Sequence, residues 1–306
     1  MEEGSRRAIV AAFLANLGIA VAKLVAFAFT GAASMMAEAI HSLADTGNQG
    51  LLFLGGKRSR RAPTAAHPFG YARERYFWAF IVALVLFSLG SLFAIYEGVE
   101  KLINPHELDS PIWAFVVLGI AIVLEGTSLR TAAREVEKVR GRSSWWRFIR
   151  TTKSPELPVV LLEDVGALIG LGFALVGITL ATVTGDARWD ALGSVAIGLL
   201  LGVIAFVLAR EMQSLLIGES GTPEEEQAIR EAIHGGPEVE RLIHLRTLHL
   251  GPDDLLVAAK IDLSATADAH TARSIDLVEE RIRHRVPTAR VIYLEPDEFR
   301  GDQDPY

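Results

Sequence analysis

Glu38-Ala39-Ile40-His41-Ser42-Leu43-Ala44-Asp45-Thr46-Gly47-Asn48-Gln49 lies inside an apolar run from Ala33 to Gly55. That run has the length of a bilayer-spanning helix, for which about 20 residues suffice. Ionisable groups in a membrane span cost a few kcal/mol each, so their placement carries information. His41 and Asp45 are four residues apart, which stacks them about one turn from each other on one helix face. Glu38 precedes His41 by three positions and Asn48 follows it by seven, so one polar stripe runs through the span. An imidazole and a carboxylate at this spacing form half of a cation site. In a soluble helix the same pair would be an ordinary surface or core contact; in a bilayer the desolvation cost calls for a compensating ion or partner.

Outward from this stretch the chain repeats the membrane pattern. Six candidate spans run from Ala8 to Phe29, Ala33 to Gly55, Tyr76 to Tyr96, Ile112 to Leu129, Pro158 to Val183 and Ala191 to Ala209. The apolar half of the 306 residues is crowded into them, and the mean hydropathy of the whole chain is +0.30. The first span is longer than a signal-peptide core and is expected to stay in the protein. Lys and Arg fall almost entirely on one side: sixteen in the N-terminal segment and the second-to-third and fourth-to-fifth loops, against Lys101 and Arg188 on the other side. The excess marks the inner side, so both termini are expected in the cytoplasm, and the membrane is expected to be the plasma membrane.

Past Ala209 the composition changes. Residues 211–306 hold 20 Asp and Glu against 10 Lys and Arg. Thr222-Pro223-Glu224-Glu225-Glu226 opens a helix with a cap, a first-turn proline and acids at the positive dipole end. Val239 to Leu250 and Leu255 to Leu263 read as strands around the turn Gly251-Pro252-Asp253-Asp254. Ala269 to His284 returns to helical spacing and Arg290 to Glu295 closes with a strand. The order α-β-β-α-β implies a two-layer α+β domain, so the expected division is 1–210 in the membrane and 211–306 outside it.

Span five carries Glu163 and Asp164, span four Glu125, and span one Asn16 and Lys23, whereas spans three and six carry no charge. Asp164 is the natural opposing carboxylate for His41 and Asp45. Glu163 is rotated about 100° from it, and Glu125, Asn16 and Lys23 read as pairing groups or pathway lining. Imidazole and carboxylate ligands suit Zn²⁺ or another first-row divalent ion. With no cysteine, thiolate sites and disulfides are unavailable. The tail histidines His234, His244, His249 and His270 either form a second metal site or are scattered surface groups. No phosphate loop, dinucleotide glycine pattern, His-Glu-x-x-His or Gly-x-Ser-x-Gly occurs, so neither an ATP-driven pump nor an enzyme is expected, and no prosthetic cofactor or nucleic-acid partner is indicated.

The span-two stretch resembles the second helix of the cation diffusion facilitator family. His67-Pro68-Phe69-Gly70-Tyr71-Ala72-Arg73-Glu74-Arg75 is similar to a loop of the same family, and Ile103-Asn104-Pro105 to the end of its third helix. The resemblance extends over nearly the whole chain. It implies a six-helix transmembrane bundle with a cytoplasmic ferredoxin-like α+β tail, and a homodimer, joined through that tail, that exports Zn²⁺ or a similar divalent ion in exchange for protons. It assigns His41, Asp45 and Asp164 as metal ligands. The fourth position of the family pattern falls on Val160, which cannot bind metal. Leu162-Glu163-Asp164 looks like the zinc transporter 9 branch, and Glu163, Asn48, Asn16 or water is left to complete the sphere. A site richer in oxygen favours Mn²⁺, Fe²⁺ or Co²⁺ beside Zn²⁺. The rival expectation, resting on Val160, is a scaffold or regulatory subunit of a related transporter that moves no ion itself.

Overall fold

The structure is a computed structural model that describes residues 3–105, 111–264, 267 and 270–299, with side chains from residue 17 onward. By their contacts the residues form two compact units, 1–57 with 77–213, and 58–76 with 214–306.

The first unit is a bundle of long helices: α1 Glu3–Thr30, α2 Ala33–Arg58, α3 Glu74–Ile103, α4 Pro111–Arg140, α6 Glu156–Thr184 and α7 Arg188–Ile217, with the short α5 Trp145–Thr151 between α4 and α6. The six long helices cover the six apolar runs of the sequence, each extended beyond its run. Among the described residues α3, α4, α6 and α7 are long and apolar enough to cross a membrane. The described apolar part of α1 is the shorter Leu17–Thr30, and α2 is diluted by its own polar stripe. Outward-facing Phe29, Trp113, Ile120, Val123, Val183 and Phe206 are exposed, as expected where lipid is the solvent.

Close packing joins α3 to α7. The middle of α3 widens to π-helical turns over Leu86–Leu92, a local irregularity that nothing in the composition announced. A Cβ on Gly198 would lie 2.8 Å from the Ser91 carbonyl oxygen, and one on Gly98 would lie 2.8 Å from that of Ala191. Ser194 donates from its hydroxyl to the Ala94 carbonyl at 2.8 Å. Small residues therefore let the apolar middles of the two helices meet backbone to backbone. Gly166, Gly170, Gly193 and Gly202 also sit against neighbouring helices, whereas Gly172 faces open space.

The second unit holds α8 Pro223–Ile233, β1 Val239–Gly251, β2 Asp254–Leu263, α9 Thr271–Arg285 and β3 Ala289–Pro296. Ala269, expected to open the second helix, lies outside the described residues. The sheet order is β1-β2-β3, antiparallel then parallel. This is the two-layer α+β arrangement expected; the described residues contain three of the four strands of a full ferredoxin-like motif. Alternate residues of β2, Leu255, Val257, Ala259 and Ile261, are buried in one core with Ile229 and Ile233 of α8 and Val278 and Ile282 of α9.

Thr222 caps α8 by accepting from the Glu225 amide at 3.2 Å, while Glu225 accepts from the Thr222 amide at 2.9 Å, a reciprocal box. His249 Nε2 at 3.4 Å and the Thr288 hydroxyl at 2.9 Å also face the Glu225 carboxylate. The His249 contact first, then the Thr222 amide and the Thr288 hydroxyl, hold its pKa down from 4.5 to about 2 against the opposing effect of burial.

The loop 58–76 packs within this second unit. Its Thr64 and His67 exchange backbone hydrogen bonds at 3.0 and 3.2 Å. The His67 ring lies 4.5 Å from that of Tyr71, and Gly70 turns the chain at φ 82°. Ala72 lies so close to Gly251 that a Cβ there would be 2.4 Å from its methyl group, and Arg75 donates to Asp253 at 3.1 Å. The dense His-Pro-Phe-Gly-Tyr motif thus shapes a loop that fits the β1–β2 turn.

Candidate metal-transport site

The start of α2 is fixed from another helix. Asp190 of α7, fully buried, accepts from the Ala33 amide at 2.7 Å and the Ser34 amide at 3.3 Å, and from the Ser34 hydroxyl. These amides are the unpaired donors of a helix N-terminus, and the carboxylate also suits its dipole. Lys101 of α3 donates to Asp190 at 3.3 Å and to the Gly31 carbonyl. Lys101 and Asp190 thus clamp the turn between α1 and α2, a role invisible when Lys101 is read only as a loop charge.

From that anchor the polar stripe descends through the bundle. Glu38, His41 and Asn48 are fully buried. His41 Nε2 lies 3.5 Å from Asp45 Oδ2, and among the described residues neither His41 ring nitrogen has a hydrogen-bond partner. Asn48 donates from Nδ2 to Glu163 Oε1 at 2.6 Å, tying α2 to α6. Ser128 of α4 donates to Asp164 Oδ2 at 2.9 Å. Such secondary contacts orient carboxylates that would otherwise rotate freely.

Asp45, Glu163 and Asp164 border one small cavity of about 10 Å³, the room needed by a single water-sized guest. Ser42, Asp45 and Gln49 of α2 line it, with Glu125 of α4 and Val160, Glu163 and Asp164 of α6. Both adjacent acids of α6 reach its wall despite their angular separation. Glu125, read from the sequence as pairing or lining, is a third acidic helix face turned to the same space; its only signal was an unexplained charge in a span. Val160 also lines the cavity, so the position lacking a donor in the family pattern faces the site.

His41 lies beside Asp45 but is not in the cavity wall. Among the described residues, no three His, Asp or Glu side chains are gathered closely enough to hold a metal ion. The Asn16 side chain lies outside the described residues. In the tail, His234 ends α8, His249 is buried in β1 with Nδ1 donating to the Gly251 carbonyl at 3.2 Å, and His270 precedes α9. The tail histidines form no described metal cluster.

Residues 9–217 match the model of the cation efflux transmembrane domain. The chain is 35% identical over 272 residues to the mitochondrial proton-coupled zinc antiporter SLC30A9 of Xenopus laevis, covering 87% of this chain and 48% of that protein. It is 34% identical over 242 residues to the human protein of the same name, covering 78% and 43%. With the cation-efflux pump FieF of Serratia proteamaculans it shares 27% identity over 296 residues, covering 93% and 90%. The chain thus spans about half the length of the SLC30A9 proteins. The mitochondrial relatives overturn the expectation of a plasma membrane with cytoplasmic termini. The physical reason is that Lys and Arg bias reports which side a loop occupies, and not which membrane it borders. The match along the membrane unit, with the polar stripe of α2 facing the acids of α6, shows that the chain belongs to the cation diffusion facilitator, or cation efflux, family, in its zinc transporter 9-like branch.

Proposed function

We propose that the chain carries divalent transition-metal ions across a membrane in exchange for protons, with Zn²⁺ as the first cargo and Mn²⁺, Fe²⁺ or Co²⁺ as competitors. The observation that carries this reading is the convergence of Asp45, Glu125, Glu163 and Asp164 from three membrane helices on one atom-sized cavity. Acids buried together in a bundle need a cation or protons to balance them. Cargo and protons competing for the same oxygen and nitrogen atoms supply the exchange. His41, Asp45 and Asp164 bind the ion, Glu163 joins them, and Asn48 positions Glu163. Arrival of the ion draws the separated carboxylates together and expels protons; reprotonation from the opposite side releases the ion. The work is movement of an ion, with no chemical transformation. Residues 1–210 perform it, and the tail, 211–306, pairs two copies of the chain.

Reconstitution tests this. In liposomes with an imposed pH gradient the wild-type chain should take up Zn²⁺, and Asp45→Ala and Asp164→Ala should not. A folded wild type that moves none of the four ions would refute the proposal and leave the scaffold reading, with Val160 as its cause.

A further inference from the structure

Lys23 of α1 is fully buried and donates from Nζ to Glu38 Oε2 at 3.0 Å and to Ser42 Oγ at 2.8 Å. A buried ion pair is an expensive way to join two helices, since apolar residues of like volume do so at least as well. The position of this pair suggests another use. Its ammonium bridges two residues one turn apart on α2, and the second of them, Ser42, is part of the cavity wall. His41, Asp45 and Glu125 are all within electrostatic reach of Lys23.

Chain direction gives the order of groups across the bundle. The helix α2 starts at the side of the short loops and ends at Arg58 on the side of the basic loops, so Glu38 lies nearer the short-loop side than Asp45. Seven residues separate them, about 10 Å along the axis. An ion leaving the cavity toward the short-loop side passes Ser42, then His41, then Glu38. Two groups on this route have atoms without partners. Glu38 Oε1 is buried with no hydrogen bond among the described residues, and neither ring nitrogen of His41 has one. Glu38 Oε1 also faces Gly170 of α6, where a Cβ would lie 2.5 Å away. The glycine leaves the carboxylate its place between the two site-bearing helices.

We infer that Glu38, with the Ser42 hydroxyl, forms a second, exit-side station for the divalent cation, and that Lys23, which bonds both, is a tethered cation that fills it in the state seen here. Lys23 holds Glu38 neutralised while the cargo sits in the cavity. When the cargo moves outward it takes over the Glu38 carboxylate and the ammonium withdraws. The route is thereby closed by a charge that belongs to the protein, and two divalent ions are kept from occupying adjacent stations together. This inference rests on the transport reading above.

The test is the number of Zn²⁺ ions bound per chain, measured by equilibrium dialysis on the full chain in lipid nanodiscs, with initial transport rates on the same variants. Lys23→Gln should bind one ion more than wild type, and its maximal rate and KM should both fall by about tenfold, because cargo is trapped at the station. Adding Glu38→Gln to it should remove the extra ion, and Lys23→Arg should return the wild-type stoichiometry. A pair that merely glues α1 to α2 would lower the yield of folded chain without adding an ion. Glu38→Gln alone gives a second line of evidence: the wild-type number of ions, an unchanged KM and a lower maximal rate. Unaltered stoichiometry in folded Lys23→Gln, or an unaltered rate in Glu38→Gln, overturns the inference. Its failure is distinct from failure of the transport reading, which is tested by loss of the wild-type ion in Asp45→Ala.

Discussion

Replacing Asn48 by leucine removes the donor that fixes Glu163 at the cavity. The bond is 2.6 Å long, fully buried on the Asn48 side and made to a carboxylate. Hydrogen bonds to charged groups contribute about 1.5–3 kcal/mol, which corresponds to about 10–100-fold in an equilibrium constant. Loss of a group that orients a metal ligand costs a similar about 10–100-fold in affinity. Asn48→Leu should therefore weaken Zn²⁺ binding by one to two orders of magnitude while the chain still folds, because leucine fills a comparable volume on a helix face. Isothermal titration in detergent reads the affinity, and thermal unfolding of the same sample reads the fold. Unchanged affinity with lowered stability would show that Asn48 only braces the bundle and would refute the placement of Glu163 at the ion.

Three further outcomes are expected. Val160→Asp adds a carboxylate to the cavity wall and should tighten Zn²⁺ binding in a competition assay; no gain would place Val160 away from the ion. Gly198→Leu forces a side chain against the backbone of α3, with the Ser91 oxygen 2.8 Å from its Cβ. It should destabilise the bundle by about 1–3 kcal/mol or more, read as a lower melting temperature, whereas Gly172→Leu, which faces open space, should not. Glu225 has its pKa held down to about 2 from 4.5, so the folded tail binds that proton less readily than the unfolded tail. Its stabilising contribution is complete above pH 4.5 and is lost as pH falls toward 2. Hydrogen exchange at α8, corrected for intrinsic rates, should show this acid loss in wild type and a shallower one in Glu225→Gln.

The membrane helices were legible because apolar runs of bilayer length admit few other structures, and the stripe of α2 was legible because its spacing is that of a helix face. The tail strands were legible as strand-like runs on either side of the Gly-Pro-Asp-Asp turn. Other features depend on residues far apart in the chain. Lys23 reads as a pairing or lining group with no partner named until Glu38, fifteen positions on, is seen to accept from it. Asp190 caps a helix that begins 157 residues earlier, and Arg75 meets Asp253 across 178 residues. Glu163 diverges by about 100° from Asp164 on an ideal helix, yet the cavity is bordered by three helices and receives both acids. The widened turns of α3 have no sequence signal, since Leu86–Leu92 has the composition of any apolar span.

The central claim is that cation and protons compete for one set of groups between α2 and α6. Proton release on adding Zn²⁺ to the weakly buffered purified chain tests it most directly. The account predicts release in proportion to the Zn²⁺ bound, abolished together with that binding in Asp45→Ala and Asp164→Ala. Zn²⁺ binding without proton release, or release that persists unchanged in both variants, would contradict it.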